Sequence, residues 1–218
     1  MIIVIPLVDG FTALDAIGPY EVLSRLPEAR VVFASVSAGP VQAETKMVSI
    51  LAEAALSEIP EPDIVCVPGG LGTRRHIDDP ELMRWLTKAH ASSTWTTSVC
   101  TGALLLGAAG ALKGKKATTH WLELPRLGEF GAEPIDQRVV FDGKLVTAAG
   151  VSAGLDMALE LGAKIAGDEW AKTVQLMIEY DPQPPFDSGS WQKADPQIVK
   201  DLRAFAEAGL LDGDQPAS

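Results

Sequence analysis

No stretch of the chain limits its possible folds more than Trp95 to Gly110, WTTSVCTGALLLGAAG. Thr96, Thr97 and Val99 are β-branched and suit a buried strand, while Ala103 to Ala109 is a small-residue apolar run of helical character, closed by Gly110. Cys100 falls between the two. A side chain at such a strand-to-helix corner is held in a tight turn above the sheet, with the unpaired N–H groups and positive dipole end of the helix beneath it. That setting favours thiolate over thiol and makes Cys100 a candidate nucleophile. The plainer alternative is a small hydrophobe packed at a crowded turn, which is also the role expected of Cys66 in the apolar run Ile64-Val65-Cys66-Val67.

The rest of the chain repeats this strand-then-helix grammar. Ile2 to Val8 is apolar without interruption, as in a strand buried on both faces. Asp9-Gly10 turns the chain toward Leu14-Asp15 and a helix beginning near Gly18-Pro19, with Pro19 suited to its first turn. Val31 to Val36 is a second strand, the segment to Leu56 alternates weakly like an edge hairpin, and Asp63 to Val67 is a third strand running into Pro68-Gly69-Gly70-Leu71-Gly72. That glycine cluster lacks the Lys-Ser/Thr ending and spacing of a nucleotide loop, so Gly70 is better read as a close backbone approach whose N–H faces developing negative charge. Asp79-Pro80 caps a helix to about Ala91. Ala117 to Trp121 is expected as a short strand ending at His120, Val139 to Ala148 as a hairpin around Asp142-Gly143, and helices follow from Ser152, from Glu169 and from Pro196. The fold class predicted is α/β, a mostly parallel sheet sandwiched by helices. Ligands of such sheets bind outside the carboxyl ends of the strands, where Asp15, Gly70, Cys100 and His120 all fall.

Composition narrows the partners. With 218 residues, 47% of them hydrophobic, one domain over residues 1–218 is expected. A net charge of −11 argues against a nucleic-acid surface and against anionic lipid, and favours a small neutral or cationic ligand. Two cysteines make no disulfide framework, which points to the reducing cytoplasm. Met1 to Pro6 has neither basic leader nor cleavage pattern, and the run Gly102 to Leu112 falls well short of the ~20 residues of a membrane span. No His, Cys, Asp or Glu spacing implies a metal.

Val99-Cys100-Thr101-Gly102, taken with Leu14-Asp15 and Gly18-Pro19, resembles the ThiJ/PfpI, class I glutamine-amidotransferase-like superfamily. Ala117-Thr118-Thr119-His120-Trp121 and the segment EYDPQPPF from Glu179 to Phe186 resemble its isonitrile-hydrating members, so the likeness runs from the first strand to about Gly189. Superfamily members that resemble peptidases carry histidine directly after the cysteine, where this chain has Thr101, and members that regulate transcription append a helix-turn-helix domain, whereas this sequence stops at Ser218. The resemblance implies a flavodoxin-like homodimer that needs no cofactor and acts on an isonitrile and water.

An isonitrile carbon must gain a nucleophile and a proton before water completes hydration to a formamide. The expected roles are Cys100 as nucleophile and Asp15 as proton donor. The backbone N–H groups of Gly70 and Thr101 would hold developing charge, the Thr101 hydroxyl would orient acid or water, and His120 would shape the pocket. Asp15 has a plainer alternative as a cap at a helix start. Two rival activities remain: glyoxalase or deglycase chemistry on small aldehydes, and a non-catalytic redox sensor using only the cysteine.

Overall fold

The computed structural model describes residues 1–209; residues 210–218, the tail of the domain expected over 1–218, lie outside the described residues. In chain order, β1 (Ile2–Pro6), α1 (Ala13–Leu23) and β2 (Arg30–Ser35) lead to a hairpin of β3 (Gly39–Gln42) and β4 (Ser49–Ala52), then β5 (Ala54–Ala55) and β6 (Ile64–Val67). Next come α2 (Thr73–His76), α3 (Pro80–Ser92), β7 (Trp95–Val99), α4 (Gly102–Ala108) and β8 (Lys116–Ala117). A 3-10 segment (Trp121–Phe130), β9 (Glu133–Pro134), β10 (Val139–Asp142), β11 (Leu145–Ala148), α5 (Ala153–Ala166), α6 (Asp168–Met177) and α7 (Pro196–Glu207) complete it.

The main sheet runs β10-β11-β7-β6-β1-β2-β5, and every pairing is parallel except β10 with β11. Its central strands, β2-β1-β6-β7-β11, follow the 2-1-3-4-5 order of flavodoxin-like sheets, so the order of connection reverses between β1 and β6. Period-two alternation divides the core into two layers. Ile3, Ile5 and Cys66 pack with Val22 of α1 and Met157 and Leu161 of α5, whereas Val4, Val65 and Val67 pack with Leu82 and Leu86 of α3 and Leu104 and Leu105 of α4. The sheet is thereby sandwiched between helices, as the sequence predicts.

Three local readings need correction. The first helix begins at Ala13 instead of near Gly18, so Pro19 lies inside α1; lacking an N–H, it cannot bond to the carbonyl of Asp15 one turn earlier. The earlier start puts Asp15 in the first helical turn, with Thr12 as the N-cap. The strand expected over Ala117 to Trp121 is confined to Lys116–Ala117, paired with Glu133–Pro134, and His120 follows it as the N-cap of the 3-10 segment. The third concerns the weakly alternating segment: β3 and β4 form a separate two-stranded sheet, and only β5 joins the main sheet edge. The Asp79 cap is as read, its carboxylate accepting from the N–H groups of Glu81 and Leu82. Among the described residues, no helix is long and apolar enough to cross a membrane.

Candidate active site

The carboxyl ends of β1, β6, β7 and β11 deliver the site. At the end of β7 the chain turns sharply at Cys100, whose φ of 54° lies in the left-handed region that costs a non-glycine residue about 1–3 kcal/mol. Three hydrogen bonds fix the turn: the Cys100 N–H donates to the Ala148 and Ala149 carbonyls at 3.1 and 3.0 Å, and the Thr119 hydroxyl donates to the Cys100 carbonyl at 2.8 Å. Val151, just past β11, also has a positive φ, and its N–H and that of Thr101 are directed at the Cys100 sulfur.

Asp15 comes from α1 and is fully buried behind the cysteine. Its Oδ2 accepts a 2.9 Å hydrogen bond from the Gly69 N–H, and its Oδ1 is buried with no hydrogen-bond partner of standard geometry among the described residues. The cap alternative fails on this geometry, because the carboxyl bonds a loop far away in sequence and not the start of its own helix. Gly69 is required by space: a Cβ there would lie 2.5 Å from the Thr101 nitrogen and 2.9 Å from Asp15 Oδ2. Burial pushes the Asp15 carboxyl up from 3.8 to about 7, against the Gly69 N–H, which favours the charged form; the Glu44 charge adds to the rise, and the Cys100 thiol beside it slightly opposes it.

The thiol itself departs from expectation. Burial, and then the Asp15 carboxylate, push the Cys100 thiol up, outweighing the N–H groups of Val151 and Thr101. Only 5% of Cys100 is exposed and α4 spans just seven residues, so desolvation exceeds any gain from the helix end. The resting form at neutral pH is the thiol next to a carboxyl that titrates near neutrality. Cys66 is also a buried thiol, pushed up to about 12 by burial in the core layer beneath α1 and α5.

Gly70 also differs. Its N–H, expected to face developing charge, instead donates to Thr101 Oγ1 at 2.8 Å, because that hydroxyl turns back toward the loop, 3.1 Å from the Gly70 carbonyl and 3.0 Å from Thr73 Oγ1. The Thr101 hydroxyl therefore acts on the acid indirectly, by bracing the Gly69-Gly70 loop whose neighbouring N–H holds Asp15. The N–H groups left facing the sulfur belong to Thr101 and Val151.

A cavity of about 290 Å³ opens over this constellation, with Cys100, Thr101, Gly70, Glu44, His120 and Val151 on its wall. His120 thus reaches the pocket from a loop instead of a strand end, and burial lowers its pKa, so the ring is neutral near pH 7. Sequence reasoning missed Glu44 and Val151. Glu44 accepts from the Thr12 hydroxyl at 2.9 Å and the Leu71 N–H at 3.1 Å, clipping together the loops on either side of Asp15. No sequence pattern flags it, since a lone bridge between Phe11 and Ala43 carries it into the site. Val151 was findable, because it follows a parallel strand at the edge already singled out. One wall is closed by the Glu123 carboxylate, which pairs with Arg74 and, at 3.4 Å, with Arg126. Among the described residues, no three His, Cys, Asp or Glu side chains gather closely enough to hold a metal ion.

A doubly wound sheet with a cysteine in a strained turn and a buried acid behind it defines a class of α/β proteins built around one thiol. Residues 1–164 match the DJ-1/PfpI family, and the chain belongs to that family. It is 41% identical over 197 residues to the isonitrile hydratase of Pseudomonas putida, covering 90% of this chain and 86% of that protein. The crystal structure of a ThiJ/PfpI family protein from Pseudomonas syringae superposes with a TM-score of 0.93 at 34% identity, over 98% of this chain and 88% of that one. A glutathione-independent glyoxalase from Caenorhabditis elegans is 26% identical over 150 residues, 68% of this chain and 78% of that protein.

Proposed function

We propose that this chain is a hydro-lyase that hydrates isonitriles to N-substituted formamides through a covalent cysteine intermediate. The observation that carries the reading is the contact between a buried thiol and a carboxyl that titrates near neutrality, at the base of a cavity. The identity to a protein named isonitrile hydratase over most of both chains selects the substrate class.

One shared proton is enough for the first step. The Asp15 carboxylate takes the proton of the Cys100 thiol, the sulfur attacks the terminal carbon of R–N≡C, and Asp15 returns the proton to that carbon, giving the thioimidate R–N=CH–S–Cys100. The N–H groups of Val151 and Thr101 hold the thiolate while it exists. Water, deprotonated by the Asp15 carboxylate, adds to the same carbon as the nitrogen is protonated. The C–S bond then breaks, releasing R–NH–CHO and restoring the thiol.

The competent state holds one proton between Cys100 and Asp15, and the pH dependence follows. Below pH about 7 Asp15 is already protonated and cannot accept the thiol proton, so kcat/KM should rise with pH to a midpoint near 7 and fall again only when the last proton leaves, well above neutrality. Measuring kcat/KM from pH 5 to 10 checks it; a profile that falls through pH 7 excludes this proton inventory.

Formamide release from cyclohexyl isocyanide, assayed beside methylglyoxal turnover, tests the reading against its main rival. Glyoxalase chemistry is favoured by the likeness to the Caenorhabditis elegans enzyme, and would give a hydroxy acid and no formamide. A redox sensor fits less well, since oxidation follows thiolate character and burial suppresses it here.

We also propose that the enzyme works as a homodimer in the cytoplasm. The apolar side chains Ile198, Leu202 and Phe205 of α7, and Leu176 and Met177 of α6, are exposed in the single chain, and a second copy would cover such faces. Sedimentation at micromolar concentration should give twice the chain mass; a monomeric mass removes the dimer and leaves the chemistry standing.

A further inference from the structure

A second cavity, of about 430 Å³, adjoins the first, and His120 and Val151 line both. Its size falls within the roughly 300–1,000 Å³ of small-molecule sites. Leu14, the neighbour of Asp15 on α1, lines it together with Trp121 and Trp191. The two tryptophans are far apart in sequence and are brought together by one residue. The Arg203 guanidinium of α7 lies 5.7 Å from the Trp121 ring centroid and 5.9 Å from that of Trp191. Arg203 is not itself on the cavity wall; it backs the rings. The Trp191 indole N–H donates to Asp136 at 3.2 Å, and the Gln192 amide donates to the same oxygen at 2.6 Å, so Trp191 is fixed by both its face and its edge.

We infer that this second cavity is the subsite for the R group of the isonitrile, and that Arg203, by holding Trp121 and Trp191 together, gives it a preference for an uncharged, ring-bearing R group. The inference rests on reading the first cavity as the site of hydration. An isonitrile is linear at its reacting end, so with its carbon at Cys100 its R group must leave the first cavity by an open side, and the side past His120 and Val151 leads onto the indoles. Charge sets the rest of the preference. The wall carries one charge of each sign, and both have partners of their own: Asp136 accepts from Trp191 and Gln192, and Arg138 pairs with Asp156 and bonds Ser152, so neither sign of R group is selected. An uncharged flat or saturated ring needs no counter-ion and gains the apolar contact of Leu14 and two indoles.

The test compares benzyl isocyanide with methyl isocyanide, whose R group is too small to reach the second cavity. The benzyl-to-methyl ratio of kcat/KM should fall about tenfold or more in Trp191→Ala, Trp121→Ala and Arg203→Ala, with the loss in KM for the benzyl compound, since one lost apolar contact is worth about 10–200-fold in discrimination. Arg203→Lys, which keeps the charge without the flat stacking face, should recover part of the ratio. Arg203 variants should stay folded, because α7 buries none of its residues within the single chain, and their melting temperature and mass in solution are read beside the kinetics. Unaltered ratios in all three alanine variants, or equal losses on both substrates, overturn the inference. Calorimetric binding of N-benzylformamide and N-methylformamide to Cys100→Ser repeats the comparison without turnover. If the wild type hydrates neither isonitrile yet benzyl binding still depends on the tryptophans, the hydration reading fails and the subsite stands; if both are hydrated and binding ignores the tryptophans, the subsite fails alone.

Discussion

Alanine or serine at Cys100 should abolish formamide production while the protein stays folded, and Cys66→Ala should keep near-normal turnover. Removing a nucleophile that acts as one unit with its proton partner costs rate factors of ~10⁴ or more, because no other group in the cavity can form the carbon–sulfur bond. The fold should tolerate the change. Cys100 already carries the strain of a φ of 54°, alanine and serine occupy no more space, and the turn is held by the residue-100 N–H donating to the Ala148 and Ala149 carbonyls and by the Thr119 hydroxyl donating to the residue-100 carbonyl, none of which needs sulfur. Cys66 is the converse case. It fills a core strand position with 0% exposure, so its replacement costs stability by leaving a small void, on the order of 1 kcal/mol, and takes nothing from the chemistry. Steady-state kinetics with thermal melts on the three variants would decide it, and wild-type turnover by Cys100→Ala would exclude a covalent step.

The contrast between these two cysteines was readable from sequence because strand and helix periodicity place them differently. Thr96 to Val99 ahead of a small-residue helix sets Cys100 at a sheet edge, and Ile64 to Val67 buries Cys66 within a strand. What sequence did not show were features that depend on distance through space. The protonation of Cys100 was misread, since a helix start argues for thiolate and only the fold reveals how completely Asp15 and the surrounding loops exclude water. The Gly70 N–H was assigned to the substrate because glycine permits close approach, but a hydroxyl from another strand end takes that N–H first. Glu44 and the pairing of Trp121 with Trp191 under Arg203 join segments with no shared local pattern, so no periodicity reports them. His120 lines the cavity from a loop, because the strand expected to carry it stops at Ala117.

Asp15→Asn separates the acid from its surroundings, and it should remove isonitrile hydration while making the protein more resistant to unfolding at alkaline pH. Asparagine can still accept the Gly69 N–H, so the loop keeps its anchor, but it can neither take the thiol proton nor return it to carbon. General acid–base catalysis is worth about 10²–10⁴ in rate, and here one carboxyl serves both steps, so the loss should reach or exceed the upper figure. The stability effect has the opposite sign. Because the folded carboxyl titrates at about 7 against 3.8 in the free chain, the folded protein holds a proton between those values that the unfolded chain has lost. Stability contributed at this site therefore falls as pH rises from about 4 to 7, and above 7 the full cost of a buried carboxylate, roughly 4 kcal/mol, is present. Asparagine does not ionise and escapes that cost, although its amide nitrogen enters the buried place of the unpartnered Oδ1, which costs about 1–3 kcal/mol at every pH. The difference in melting temperature, variant minus wild type, should thus climb between pH 4.5 and pH 8. If Asp15→Asn hydrates at the wild-type rate, the proton comes from elsewhere; if the melting difference is flat with pH, the folded carboxyl titrates as it does in the free chain, and the raised pKa that sets the midpoint near 7 and lets Asp15 return the proton to carbon is excluded. Loss of activity together with a rising melting difference leaves one account of Asp15: a carboxyl whose pKa burial raises to near neutrality, so that its carboxylate can take the Cys100 proton and its acid form can return that proton to the isonitrile carbon.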